Sequence, residues 1–403
     1  MQKIVFEKPY KFIPPHRGDW WPAFIRDSGI LYRYLKKHEG VTGYDVRHTD
    51  RLRASLDAGH GIILAPNHSR ASDPLVIGRL TGEAKCLVWA MASWHLFNQS
   101  WAMSWAIRKL GAFSLYREGD DRVSVSTAIN MVVEAKRPLV LFPEGATTRT
   151  NDQLHTLLPG VAAIARLAAK KRARTGGKVV IHPVGIKYLF GGDLKATVAP
   201  VLAEIEQRLS WQPQVHLPLL ERIRKLGSAL LTLKEVEYFG AARSGSLWER
   251  QKGLIERLLD PMEEEYFGEI KQGGVVARIK DLRIRLMPEM IDGSLTEEQR
   301  QRRWLQLADL YLSQQVSCYP LDYIKQPTTV DRILETVERF EEDLTDVARI
   351  HGHMTCVIDV GEPIEVPVGR DRNAEVDPIM VELETALTAQ LAALAKESPL
   401  YEE

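Results

Sequence analysis

His68 and Asp73 stand on one short segment, Pro66-Asn67-His68-Ser69-Arg70-Ala71-Ser72-Asp73-Pro74, directly after the apolar run Gly61–Ala65. Open α/β sheets place their sites at such a point, where a strand ends and a helix begins. With four residues between them, the carboxylate can turn back from the helix start and accept a hydrogen bond from one ring nitrogen. The other nitrogen is then free to act as a base. No serine or cysteine nucleophile is paired with the imidazole, so the chemistry open to it is deprotonation of a substrate hydroxyl. The plain alternative is a helix cap with no chemistry. A second candidate element, Phe142-Pro143-Glu144-Gly145, follows the apolar strand that begins at Pro138.

The pair His68…Asp73 followed by Phe142-Pro143-Glu144-Gly145 resembles the glycerolipid acyltransferase family, whose bacterial members include 1-acylglycerol-3-phosphate acyltransferase. Two weaker elements fall in the family's order. Gly111-Ala112-Phe113-Ser114-Leu115-Tyr116-Arg117 is similar to its glycine-to-arginine block, and Val180-Ile181-His182-Pro183-Val184 to its proline block. The resemblance implies transfer of an acyl group from an acyl-thioester to a hydroxyl of a lysophospholipid or glycerophosphate-type acceptor, in phospholipid biosynthesis or remodelling. His68 would take the proton and Asp73 orient the ring, with no acyl-enzyme. Glu144 and Gly145 would help hold the acceptor, and Arg117 would pair with its phosphate, as arginine does through bidentate bonds. Arg149 and Lys187 are further cationic candidates, for which a surface position is the simpler reading. No cofactor is implied beyond acyl-CoA or acyl carrier protein as donor.

Three departures from the family pattern remove or shift positive charge. Gly145 is followed by Ala146-Thr147-Thr148-Arg149 rather than Thr-Arg. Ala90-Met91-Ala92-Ser93-Trp94 lacks the family's lysine, and Leu158-Pro159 stands before Gly160 where a lysine is frequent. The acceptor is therefore open to differ from lysophosphatidic acid. Competing functions are a catalytically silent lipid-binding scaffold on the same fold and a hydrolase using water.

The elements that must position these residues read as α/β, a central, mostly parallel sheet flanked by helices, as in glycerol-3-phosphate acyltransferase. Short apolar strands are expected at Gly61–Ala65, Ala112–Tyr116, Pro138–Phe142 and Lys178–His182, with helices near Val123–Lys136 and Gly160–Lys171 between them. After residue 200 the texture becomes charged and helical. Capping boxes are expected at Ser246 with Glu249 and at Ser294 with Glu297, and Ile333, Val337, Phe340, Leu344 and Val347 form a helical stripe. The β signal returns at Met354, and Val357-Ile358-Asp359-Val360-Gly361-Glu362-Pro363-Ile364 resembles the segment that follows the family's proline block. Asp377-Pro378 then opens a helix with Met380, Leu383, Leu387, Leu391 and Leu394 on one side. The expected divisions are an amphipathic, membrane-surface segment at 1–45, the core at 46–200, a helical insertion at 201–353, and a returning strand and helix at 354–403. No internal repeat is read.

Composition narrows the partners. In 403 residues, 53 Lys+Arg balance 53 Asp+Glu, which removes the basic excess expected of a nucleic-acid binder. Cys86, Cys318 and Cys356 are too scattered for a disulfide framework or thiolate cluster, and no metal ligand set is visible. From residue 335 onward 17 acidic residues face 5 basic ones, so the front of the chain is cationic. Six of the nine tryptophans lie in that front part. Interfacial tryptophan beside lysine and arginine suits an anionic bilayer, and Trp20, Trp21, Phe24, Ile25, Ile30, Leu31, Tyr34 and Leu35 among basic residues suit an interfacial helix. The N-terminus lacks a secretory signal, so the expected place is cytoplasmic, peripheral on the inner membrane face. The uncharged stretch Cys86–Ile107 is long enough to span, but its interspersed polar residues and tryptophans argue for core.

Overall fold

The computed structural model describes residues 7–320, 322–347, 349–369 and 376–403; residues 1–6 of the expected first segment and 370–375 within the expected last one lie outside the described residues. In chain order the elements are α1 (Trp20–Asp27), α2 (Ile30–His38), β1 (Val41–Arg47), α3 (Thr49–Asp57), β2 (Gly61–Pro66), α4 (Asp73–Ala84), β3 (Trp89–Ser93), α5 (Trp101–Lys109), β4 (Ala112–Leu115), α6 (Arg122–Glu134), β5 (Leu139–Val140) and α7 (Gly160–Arg172). There follow β6 (Val179–Phe190), α8 (Leu194–Arg208), α9 (Leu219–Phe239), α10 (Leu247–Phe267), α11 (Val275–Asp292), α12 (Glu297–Ser317), α13 (Val330–Thr345), β7 (Met354–Val360), β8 (Ile364–Glu365) and α14 (Pro378–Ala395).

The strands form one sheet in the order β1-β7-β6-β2-β5-β3-β4, with β8 also on β6. Neighbours run parallel except β6 with β7 and β8. The fold is therefore α/β with a mostly parallel sheet. Both faces are covered, which is why β2 is apolar without alternation: Ile62 and Leu64 join the core shared with α4, α8, α9 and α13, while Ile63 and Ala65 join the one shared with α6, α7 and α14.

Four differences from the sequence reading have physical causes. β1 was not expected, and the sheet takes it in from Val41, so the division drawn at residue 45 falls within a strand. β3 was also missed, since Ala90, Met91, Ala92 and Ser93 have little β preference. β6 runs to Phe190 rather than stopping at His182. Pro183 offers no N–H to a ladder, but its carbonyl accepts from Gly361 N at 2.8 Å, and beyond it the strand pairs antiparallel with β7. The second capping box starts two residues late. Thr296 and Gln299, not Ser294 and Glu297, exchange the hydrogen bonds, while Ser246 and Glu249 do so as read.

The chain leaves the sheet after β6 and rejoins it at β7. Between them α8, the start of α9 and α13 belong to the main core, whereas α10, α11 and α12 pack around Leu259, Leu282, Leu286 and Leu310 as a unit of their own. A repeat that the sequence reading overlooked joins these helices. At the α8–α9 joint Glu206 accepts from Gln214 N at 2.9 Å and from both arms of Arg222 at 2.7 Å. At α9–α10 Glu235 takes Arg243 N at 3.0 Å and Arg250 at 2.8 Å. At α10–α11 Glu263 takes Lys271 N at 3.0 Å and Arg278 at 2.8 and 2.7 Å. All three carboxylates are fully buried. Two joints share the sequence Glu-x-Glu-Tyr-Phe-Gly, at Glu235–Gly240 and Glu263–Gly268. Each carboxylate ties the turn to the next helix, so the direction of α11 is inherited through three locks of the same kind.

Among the described residues no helix is long and apolar enough to cross a membrane. The uncharged stretch breaks into β3, a 3-10 turn over Trp94–Asn98, and α5. Its tryptophans divide: Trp89 and Trp94 are buried, whereas Trp101 is 82% exposed and Trp105 44%. Trp105 meets Trp21 edge-on at 5.3 Å, and Trp20 stacks on Phe24 at 5.5 Å, so α1 and α5 present one aromatic patch beside Lys109.

Candidate active site

The second half of β6 runs past the end of β2, and its open edge is met by side chains. Asn67 exchanges hydrogen bonds with Ile186, through Nδ2 to the carbonyl at 3.0 Å and Oδ1 from the amide at 2.7 Å. Asn151 does the same for Tyr188 at 2.6 and 2.9 Å, and Asp331 accepts from Phe190 N at 2.8 Å. These amides continue the ladder as backbone would. They also hold the segment after β2 and the loop after Gly145 on the same edge, which brings His68 and Glu144 together.

His68 Nδ1 lies 2.9 Å from Asp73 Oδ2. Asp73 opens α4 and is wholly buried, yet well supplied with donors: Arg70 N at 2.9 Å on the same oxygen and Tyr188 Oη at 2.6 Å on the other. The helix N-terminus favours the negative charge there. With the Nδ1 proton donated to this carboxylate, Nε2 carries the free lone pair. It faces Thr147 Oγ1 at 3.3 Å, while Phe142 covers the ring at 4.2 Å between centroids.

Glu144 is 1% exposed, and its two oxygens are taken by backbone donors, His68 N at 2.7 Å and His155 N at 2.9 Å. Burial pushes its carboxyl up to about 7 against the pull of these two amides. Its observed work is to clamp the His68 segment to the following loop. Gly145 has φ +71°, and a Cβ there would sit 2.3 Å from Leu158 Cδ1, so the turn requires glycine.

A cavity of about 380 Å³ adjoins the dyad and is lined by Ser69, Arg70, Thr147, Arg117 and Arg149 among others. Arg117 lies there partly buried after β4, and desolvation lowers its pKa. Arg149 lines it too but is ion-paired with Glu342. Arg70 pairs with Glu338 at 2.7 Å. The surface reading of Lys187 is overturned, because it is fully buried between Asp152 and Asp331, the latter at 3.1 Å. Both faces of β6 are covered, so a side chain there is buried whichever way it points, and only paired charge is tolerated. Among the described residues no group of three or more His, Cys, Asp or Glu could hold a metal ion.

The sequence reading missed Tyr188, Thr147, His95 and Arg283. Tyr188 had a signal in the alternation of Ile186, Tyr188 and Phe190 on an extended strand. Thr147 stood inside the displaced third block. His95, on the 3-10 turn, and Arg283, on α11, had none, since each reaches the cavity only through the packing of distant elements.

Compared with known proteins, residues 44–187 match a family model described as Acyltransferase. That span contains His68, Asp73, Arg117, Glu144, Gly145 and Arg149 and ends before Tyr188 and the helices that follow. No curated protein matches the chain.

Proposed function

Starting from an acyltransferase-family domain at residues 44–187, we propose that the protein moves a fatty acyl group from an acyl-thioester to the hydroxyl of a lysophospholipid or glycerophosphate-type acceptor. The observation that carries this reading is the His68–Asp73 dyad at 2.9 Å, whose Nε2 meets the hydroxyl of Thr147, a residue that lines the neighbouring polar cavity. An acceptor hydroxyl displacing Thr147 at Nε2 loses its proton to the imidazole as its oxygen attacks the thioester carbonyl. The C–S bond breaks, and the imidazolium returns the proton to the leaving thiolate. Asp73 stabilises the imidazolium, and Tyr188 and Arg70 N hold Asp73 in place. Glu144 and Gly145 act by shaping the wall on which the acceptor lies, and Arg117 meets its phosphate. The ion pair with Glu342 favours a structural part for Arg149.

The aromatic patch of α1 and α5 supports a second element of the reading, that the protein rests peripherally on the cytoplasmic face of an anionic membrane, with acyl-CoA or acyl carrier protein delivering the donor. Exposed tryptophan with lysine alongside is suited to the headgroup region. Replacing Trp20, Trp101 and Trp105 by serine is expected to release the protein from anionic liposomes, and unchanged binding would remove the membrane element.

Thioester cleavage by the purified protein decides the main proposal. With acyl-CoA and acyl carrier protein donors and a panel of lysolipids and glycerol 3-phosphate, turnover is expected to require the acceptor. It is expected to fall at least ~10²-fold in His68→Ala, the usual worth of a general base. Donor loss without any acceptor would instead indicate a hydrolase, and no turnover with intact lipid binding a scaffold.

A further inference from the structure

Arg283 extends from α11 into the cavity beside the dyad, where it joins Arg117 and His95. Its residue is 7% exposed, and its Nε has no hydrogen-bond partner. Among the described residues neither Arg283 nor Arg117 forms a hydrogen bond or ion pair with any side chain. The five carboxylates that line the same cavity are engaged elsewhere: Glu338 pairs with Arg70 and Glu342 with Arg149, Glu335 accepts from Tyr323 Oη, Asp343 takes Gln315 Nε2 at 2.9 Å, and Glu39 sits by Ser72 and Arg70. Around the two arginines the remaining polar groups are Glu118, Tyr311 and His95, whose Nδ1 is turned to Ser93 Oγ at 2.8 Å. Burial, then Arg117, pushes Arg283 down to about 10 against a smaller opposing pull from Glu118, and burial with both arginines pushes His95 down to about 4. At neutral pH two cations and one neutral imidazole therefore face the space, with the Glu118 carboxylate near both arginines but ion-paired with neither.

A buried cation without a counter-ion is costly, and a protein retains one where a ligand supplies the missing charge. From this we infer that α11 completes an anion subsite, in which Arg283 and Arg117 together clasp the phosphate of a phosphomonoester acceptor and His95 contributes a hydrogen bond. The inference rests on the proposed acyl transfer for its choice of acceptor. A monoester dianion matches two guanidinium groups, each able to bind two oxygens, whereas a phosphodiester or a carboxylate brings a single charge. The helical unit thereby supplies, from outside the acyltransferase-family span, a second positive charge beside Arg117. Arg278, five residues earlier on α11, is bound to Glu263 and fixes the helix that carries Arg283.

Arg283→Met separates a ligand-binding arginine from a structural one. Without added anion the variant is expected to melt higher than the wild type, because an unpaired buried charge is gone. Inorganic phosphate is expected to raise the melting temperature of the wild type and to bind the variant about 10- to 100-fold more weakly by calorimetry, the range for hydrogen bonds to a charged group. Arg283→Lys, which keeps charge but loses the fork, should fall between. In turnover, KM for a monoacylglycerol phosphate should rise by a similar factor in Arg283→Met with kcat little changed, and KM for the acyl-CoA donor and for a neutral monoacylglycerol should not move. Equal phosphate affinity in wild type and variant would overturn the inference, as would a lower melting temperature without phosphate or a shift confined to the donor's KM. Acyl transfer by a wild type that binds no phosphate would also overturn it while leaving the proposed function standing. Loss of phosphate binding in the variant, with no acyl transfer to any acceptor by either protein, would support the subsite and overturn the proposed function.

Discussion

Two groups of charged residues line the cavity on opposite electrostatic terms. Along α13, Glu338 and Glu342 meet Arg70 and Arg149, one arginine to each carboxylate. Arg117 and Arg283, which line the same cavity, have no such partner among the described residues. Helix α13 can supply this pairing because its two faces divide the work: Ile333, Val337 and Phe340 enter the core, and the acidic positions one turn apart line the cavity. Helix α11 contributes a lone guanidinium instead. Matched charges hold two elements together and gain little from a ligand, whereas unmatched ones weaken the empty protein and recover that loss on binding. The first group is architecture, and the second is the one assigned above to the inferred anion subsite.

The sharpest way to break this comparison is to treat two arginines of one helix alike. Arg278→Met leaves the fully buried Glu263 without its partner and is expected to destabilise the protein by about 3–5 kcal/mol in denaturant unfolding. Arg283→Met is expected to stabilise it, as set out above. If both variants lose stability to the same degree, the contrast between paired and unpaired arginines fails.

A smaller effect is expected at the clamp next to His68. Glu144→Gln presents an amide NH₂ to one of two backbone N–H groups, leaving a buried donor unpaired at a cost of about 1–3 kcal/mol. Turnover should fall with it, because the His68 backbone hangs on that carboxylate. Unchanged unfolding midpoint and rate would show that the clamp is dispensable.

Tyr188→Phe removes the 2.6 Å bond to Asp73 Oδ1 while keeping the ring. Stability should drop by about 1 kcal/mol, and turnover by a factor of a few, with the loss in kcat rather than KM, as befits a residue that positions Asp73 without touching substrate. A loss confined to KM would contradict that part.

The smallest expected effect is in the pH profile of stability. Glu144 and Glu335 are both raised to about 7, chiefly by burial. In each case the unfolded chain releases its proton first, so the contribution is complete below the ordinary glutamate value and is lost as pH rises through about 7. His95 and His155 are lowered to about 4, again chiefly by burial, and their contribution is lost in the opposite direction, as pH falls from the ordinary histidine value toward 4. Thermal unfolding across pH 4 to 8 should show the high-pH decline flattened in Glu335→Gln and the acid decline flattened in His95→Asn. An unchanged profile in both would show that these groups are more solvated than their burial indicates.

Much of this was legible from local sequence. The run Gly61–Ala65 marks a strand buried on both faces, His68 and Asp73 sit at a spacing that one helix start can close, and Asp377-Pro378 opens a helix whose apolar side is read residue by residue. These features depend on neighbours within a few positions, and near neighbours determine backbone preference, capping and which face is apolar. The length of β6, the inward turn of Lys187 and the place of β3 depend instead on what lies across the sheet, which no local pattern records. The three carboxylate locks repeat in sequence, yet they become visible as a repeat only when Arg222, Arg250 and Arg278 are seen to grip the acid of the preceding helix. The cavity's charge balance lies furthest from the sequence. Whether an arginine is paired or left open is a property of every element that packs against it, so Arg149 and Arg283, alike as residues, acquire opposite surroundings only in the folded molecule.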